Sequence, residues 1–187
     1  GLTSLNAPTV SALVGRTLTI AAGTLSVSKN ASFGNKIVTN PTGTINGAGV
    51  KIGSFVINGG AGEDAEVSQI SVVDVSAGAT ASTHFNAGLY LQNLKLMRGT
   101  TQLGATVYNP ASAATAVQTH TFSISPVITI KAGEQYVVDL VTDIKSTAQT
   151  AATPIVNFDS VTASGKLTGT AASYSTDVTL QNTYIAS

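Results

Sequence analysis

The stretch from Thr119 to Ile144 constrains the fold most strongly, because its apolar side chains recur at every second position. A period of two is typical of a β-strand, whose successive side chains point to opposite faces of a sheet, whereas a helix has a period of 3.6. Gly133 lies between two such rows and gives the backbone the freedom for a tight reversal. Two long strands are therefore predicted to meet here. The rows are His120, Phe122, Ile124, Ile128, Ile130 and then Tyr136, Val138, Leu140, Thr142, Ile144.

Shorter segments with strand-like patterns occur along most of the chain, separated by loops rich in Gly, Ser, Thr, Ala and Asn. No stretch of ten residues has helical periodicity. We therefore predict an all-β protein, an antiparallel Ig-like β-sandwich with Greek-key-type connections, about nine or ten strands and essentially no helix. The predicted core contains Ile52, Phe55, Ile70, Val72, Leu94, Leu96, Phe122, Ile124, Ile128, Ile130, Val138 and Leu140. The predicted loops are 29–49, which carries a short edge strand at 36–39, together with 76–83, 109–117 and 145–153.

The first fifteen residues differ from the rest. They contain five large aliphatic side chains between polar and small residues but follow no clean period. We interpret residues 1–15 as an extended N-terminal arm, and residues 16–187 as a single β-sandwich domain. A domain of that length buries a core without covalent cross-links.

Composition excludes several classes of function. With no cysteine, the chain has neither disulfides nor a thiolate metal site. Nine basic and nine acidic residues balance, which leaves no basic field for nucleic acid or for a membrane surface. No apolar run approaches the ~20 residues of a membrane span. Charged residues make up 10% of the chain against a typical ~25%, and such a neutral surface favours self-association.

The densest acidic cluster, Glu63, Asp64 and Glu66, is a weak Ca²⁺ candidate. An Asp-x-Asp-x-Asp-Gly loop is missing, so a solvated loop is the favoured interpretation, and no metal or cofactor is predicted. His84 and His120 lack the spacing of a zinc site, and each is expected to be exposed or on a strand face. No Gly-x-Ser-x-Gly elbow is present, and we predict that the protein is not an enzyme.

The sequence also contains residues for two further site types. A Lys–Asn isopeptide bond needs a buried acid, and the alternation places Asp139 on the outer face with Val137 and Val141, which disfavours it. Exposed aromatic side chains offer a sugar-binding platform, although the chain has no Trp. The isopeptide candidates are Lys36, Lys51, Asn157 and Asn182, and the platform candidates are Phe33, Phe85 and Tyr90.

Four segments carry a resemblance to a known class. They are TIAAGTLSVS (19–28), GEDAEVSQISV (62–72), LKLMRGTTQLGATV (94–107) and ITIKAGEQYVVDLVTDI (128–144). In this order they are similar to the Ig-like β-sandwich repeats of large prokaryotic cell-surface and fibre proteins, over most of residues 17–162. The resemblance implies an extracellular, non-enzymatic module that is often repeated or polymerised. It carries over no functional residues.

The expected function is a structural subunit of an extracellular filament, pilus-like fibre or surface layer, whose partners are copies of itself or neighbouring repeats. An unpaired sheet edge is a template for association, and an aliphatic arm can fill the edge of a neighbour by donor-strand complementation. The residues expected to insert are Leu5, Val10, Leu13 and Val14. The alternatives are a first strand that pairs within its own sheet, and an adhesive or carbohydrate-binding surface module.

Overall fold

The computed structural model of this protein describes residues 23–75, 87–111, 117–148 and 155–187. The predicted arm, with Leu5, Val10, Leu13 and Val14, lies outside the described residues, as do His84 and Phe85. The elements are β1 (Ser26–Lys29), β2 (Gly43–Thr44), β3 (Val50–Asn58), β4 (Ala65–Val75), α1 (Ala87–Tyr90), β5 (Leu91–Arg98), β6 (Thr101–Val107), β7 (Thr119–Ile130), β8 (Gln135–Ile144), β9 (Ile155–Gly165) and β10 (Ile185–Ala186).

These strands form two main sheets. The five-stranded sheet has the order β1-β3-β8-β5-β6 and the three-stranded sheet has the order β7-β4-β9, while β10 pairs with β2 in a two-residue parallel ribbon. All neighbours within the two main sheets are antiparallel. The prediction of an all-β fold with about ten strands in antiparallel sheets is confirmed, and none of the sheets closes into a barrel.

The alternation predicted for the stretch that became β7 and β8 is confirmed. Along the first half of β7, His120, Phe122 and Ile124 are buried and the residues between them are exposed. In β8 every second side chain from Tyr136 to Ile144 is buried. The two strands do not pair with each other, however, because the turn between them carries the chain from the three-stranded sheet to the five-stranded sheet. The turn is closed by a hydrogen bond from the Glu134 N–H to the Lys131 carbonyl, 2.9 Å.

The core lies between the two sheets. Phe55 of β3 and Phe158 of β9 meet across it with ring centroids 5.2 Å apart. Of the predicted core residues, all are buried except Ile128, which is half-buried and packs against the same cluster. Apolar surface removed from water stabilises a folded protein by about 25 cal/mol per Å². The contact between the two sheets is therefore the main source of stability.

The C-terminal segment, residues 171–186, closes one side of the sandwich. Its backbone pairs with the outer edge of β9 at Phe158 with Val178 and at Val161 with Tyr174. Further on, the buried Gln181 side chain accepts a hydrogen bond from the Ser54 N–H (2.8 Å) and donates one to the Ser54 carbonyl (3.0 Å). The Ser54 carbonyl also accepts from the Asn30 N–H at 3.0 Å, so the Gln181 amide is inserted between β3 and the residue that follows β1.

The predicted edge strand at 36–39 is wrong. Ile37 and Asn40 exchange backbone hydrogen bonds of 3.1 and 2.9 Å across a two-residue turn, so this segment folds on itself. An edge strand at 36–39 would pair with a neighbouring strand of a sheet. The segment is instead bonded to the C-terminal segment, since the Lys36 N–H donates to the Asn182 carbonyl at 2.9 Å. As a result, Ile37 is 56% exposed and Val38 is 65% exposed.

The two ends of the sandwich are built differently. At the first end, tight turns join the strands, namely 59–64, 99–100 and 131–134, and the 166–170 turn follows β9. At the second end lie the described stretches 30–49, 108–111, 117–118 and 145–148, together with the last residue of β4 and the first residue of β9.

Leu140→Ala tests the core assignment. Leu140 is fully buried in β8, and removing its side chain should lower the free energy of unfolding by about 2–5 kcal/mol through lost apolar burial and the cavity left behind. Denaturant unfolding followed by far-UV circular dichroism measures this change. Val141→Ala, on the half-buried outer face, is the matched control and should cost less. Equal effects of the two substitutions would contradict the assignment.

Candidate functional site

The acidic cluster lies at the first end, where its carboxylates bind different turns. Glu63 is buried, and its carboxylate accepts hydrogen bonds from the N–H groups of Leu167 (2.7 Å) and Thr168 (3.1 Å) and from the Thr168 hydroxyl. Asp64 accepts one from the Ala132 N–H at 3.0 Å. Glu66 is half-buried on β4. Within the described residues no group of three or more His, Cys, Asp or Glu side chains is placed to hold a metal ion.

The environment of Glu63 favours its charged form. The hydrogen bond from the Thr168 hydroxyl holds the pKa of Glu63 below its usual value, against the opposing effect of desolvation and together with the two N–H donors. Sequence reasoning placed this residue in a solvated loop, and it missed the role because the donors lie about a hundred residues away.

Gly23, the first described residue, also lies at the first end. A side chain at Gly23 would meet the backbone of Glu63, and Gly60 approaches the Gly23 backbone equally closely. Because neither position has room for a Cβ atom, both close approaches require glycine. The segment that precedes Gly23 therefore joins the described part of the chain at this end.

One outer face of the five-stranded sheet carries a polar network. Lys51 pairs with Asp139, Nζ to Oδ2 at 2.9 Å, and the Ser54 hydroxyl donates to the other Asp139 oxygen at 2.6 Å. Asn157 is engaged elsewhere, because its side-chain oxygen accepts from the Leu180 N–H at 2.9 Å. The lysine and the asparagine considered for an isopeptide bond thus have different partners.

Phe33 lies beside this network with two ammonium groups against its ring. Lys36 Nζ is 5.1 Å and Lys51 Nζ is 4.9 Å from the ring centroid, both within cation–π range. Lys29 is nearby, since its ammonium donates to the Asn35 side chain at 3.0 Å. Of the other aromatic platform candidates, Tyr90 packs against the core and Phe85 lies outside the described residues. The arrangement is a cationic patch around one ring.

A buried histidine–carboxylate pair connects β7, β4 and α1. His120 Nε2 lies 2.9 Å from Asp74 Oδ1, and the side chains are 2% and 3% exposed. The other Asp74 oxygen accepts from the Ala87 N–H at 2.9 Å. The strand-face position of His120 follows from the alternation, but its partner lies 46 residues away and has no local signal. The pair satisfies buried polar groups of three elements.

An apolar groove of about 440 Å³ opens at the second end. Its lining residues are Lys36, Ile37, Val38, Ile155, Asn182, Thr183 and Tyr184. The groove walls are held by backbone hydrogen bonds from Lys36 to Asn182 (2.9 Å) and from Thr42 to Tyr184 (2.8 Å). Tight turns are usually built from Gly, Asn, Asp, Ser or Pro. Two adjacent exposed aliphatic side chains are therefore unusual at this turn.

Comparison of the chain with protein-family models, with curated proteins and with solved structures finds no match. Within the described ranges, none of the helical residues forms a segment long and apolar enough to cross a membrane. The class defined by the structure is therefore an all-β protein with several antiparallel sheets.

Glu63→Gln tests the role of the buried carboxylate. A group with a lowered folded pKa contributes stability that is present above its unfolded pKa, about 4.3 for Glu, and is lost as the pH falls through the folded value. The variant should therefore unfold at a lower temperature than the parent protein at neutral pH, and the difference should shrink below pH ~4. Thermal unfolding between about pH 3 and 7 measures it. Glu66→Gln is the control, and a gap independent of pH would contradict the assignment.

Proposed function

We propose that this protein is a structural subunit or repeat of an extracellular filament, pilus-like fibre or surface layer. The observation that supports the proposal most directly is the placement of two features at opposite ends of the sandwich. The segment before Gly23 joins at the first end, and the exposed apolar groove lies at the second end. Its role is assembly with copies of itself or with neighbouring repeats rather than catalysis.

Different surfaces at the two ends favour open assembly. A contact between unlike surfaces is heterologous, and repetition of such a contact gives a filament when the rotation does not close into a ring. The low charge of the chain supports this, since only 10% of its residues are charged and the net charge is zero. Little electrostatic repulsion therefore opposes end-to-end contact between copies.

One side of the sandwich, formed by β9 and by the β1–β3 edge, is covered by the C-terminal segment. The outer edge of β9 is paired with residues 171–178, and the edge of β3 beyond β1 is occupied by Gln181. Covering an edge in this way blunts lateral strand pairing. Donor-strand complementation by the arm, with Leu5, Val10, Leu13 and Val14, is accordingly proposed to link one copy to the next away from this covered side.

Electron microscopy of the purified full-length chain without added ligand tests this function. Ordered filaments or sheets are expected. A full-length variant with Leu5, Val10, Leu13 and Val14 changed to Ser, and a chain lacking residues 1–14, should both lose assembly while keeping the far-UV spectrum of a β protein. Thr3→Ala in the same arm is the control and should assemble. Unaltered filaments from the shortened chain would rule out the arm, and a parent chain that stays monomeric would rule out the function.

An adhesive or carbohydrate-binding module is the second candidate, and the cationic patch around Phe33 favours it. An aromatic face beside ammonium groups suits the stacking and charge of an acidic sugar. Lys36 and Lys51 supply two positive charges at the ring, of which the Lys51 charge is paired with Asp139.

Retention on immobilised glycans tests the second candidate. A monomeric protein held by a column of sulfated or uronic-acid polysaccharide, and not by a neutral one, would support it. The double variant Phe33→Ala/Lys36→Ala should then elute earlier, while Lys95→Ala, on β5, should not change. Passage of the parent protein through both columns at low ionic strength would exclude it.

A further inference from the structure

We infer that the apolar groove at the second end receives the N-terminal arm, residues 1–15, of a second copy of this chain. The inference rests on the proposed function and names the contact that would link successive subunits. It is carried by the exposure of the groove, by the match between groove and arm in polarity, and by the positions of the two along the molecule.

The groove presents more apolar surface than folding of the described residues explains. Ile37 and Val38 are 56% and 65% exposed at the tip of a closed turn, where their side chains contribute little to the core. The turn is nonetheless held firmly by the Ile37–Asn40 bonds and by the Lys36–Asn182 bond. A preformed apolar site of about 440 Å³ falls in the range of binding clefts, roughly 300–1,000 Å³.

The arm suits this groove chemically. Residues 1–15 contain no charged side chain and five large aliphatic ones. Of the groove residues, Lys36 alone is charged, and its ammonium lies over the Phe33 ring, 5.1 Å from the centroid. Asn182 and Thr183, both uncharged, also line the groove, so its lining matches an arm without charged side chains.

The positions of the two features favour contact between copies. The segment before Gly23 joins at the first end, whereas Ile155 in the groove begins β9 at the second end. The eleven residues of β9 span about 36 Å at a rise of ~3.3 Å per residue. An arm docking on its own subunit has to run back along that length. In copies stacked end to end, Gly23 of one copy lies at the end that faces the groove of the next.

Disulfide trapping in the full-length chain tests the inference, and the absence of native cysteine removes background cross-links. Two single variants, Val10→Cys and Val38→Cys, are mixed, oxidised and run on a non-reducing gel. A bond forms when the Cα atoms come within about 7 Å, so the mixture should give a covalent dimer containing one chain of each variant. Mixing Val10→Cys with Val137→Cys, exposed on the outer face of β8, is the control and should give at least tenfold less of it.

The chain carrying both Val10→Cys and Val38→Cys distinguishes the docking modes. A ladder of covalent multimers supports docking on a second copy, whereas a monomer with an internal disulfide overturns it. A companion variant, Ile37→Ser/Val38→Ser, should raise the concentration needed for assembly at least tenfold, while Val137→Ser should not. Filaments that form without these cross-links would overturn the groove assignment and leave the proposed function standing. A parent chain that neither assembles nor cross-links would contradict both.

Discussion

The fold depends on how the open edge of β3 is completed after β1 ends at Lys29. A buried N–H or carbonyl without a partner costs about 1–3 kcal/mol, and Ser54, fully buried, lies just past that point. The Gln181 amide accepts from the Ser54 N–H at 2.8 Å and donates to the Asn30 carbonyl at 2.9 Å, while the Ser54 carbonyl accepts from both Gln181 and the Asn30 N–H. One side chain thus bridges the backbones of β3 and of the residue that follows β1. This contact anchors the C-terminal segment to the edge of the five-stranded sheet.

The same segment determines which surfaces are left for partners. Before Gln181 it pairs with β9, and after Gln181 it pairs with the 36–45 region, where β10 lies alongside β2. Its path covers the side of the sandwich and ends in the wall of the groove at Asn182 to Tyr184. The first end is braced by Glu63 and Asp64 through bonds to neighbouring turns. The two ends are therefore the surfaces on which the assembly proposal rests.

Local patterning predicted the strands, because alternation records which face of a strand is buried. His120, Phe122 and Ile124 were placed correctly, as was every second residue of β8. The partners of Glu63 and Gln181 were not predictable, since each lies more than a hundred residues away in sequence and Thr, Ser and Asn are too abundant to mark a contact. The prediction of an edge strand at 36–39 is wrong for the same reason. β-Branched residues occur in a turn as well as in a strand when a distant segment supplies the backbone hydrogen bonds.

The axial repeat of the assembled material tests the central claim most directly. Strands of ten to twelve residues, as in β7 and β8, extend about 33–40 Å. Stacking end to end along the strand direction therefore predicts a rise per subunit of at least ~33 Å in helical reconstruction from electron micrographs. A rise well below that length would mean that subunits associate side by side through sheet edges. That result would contradict the account.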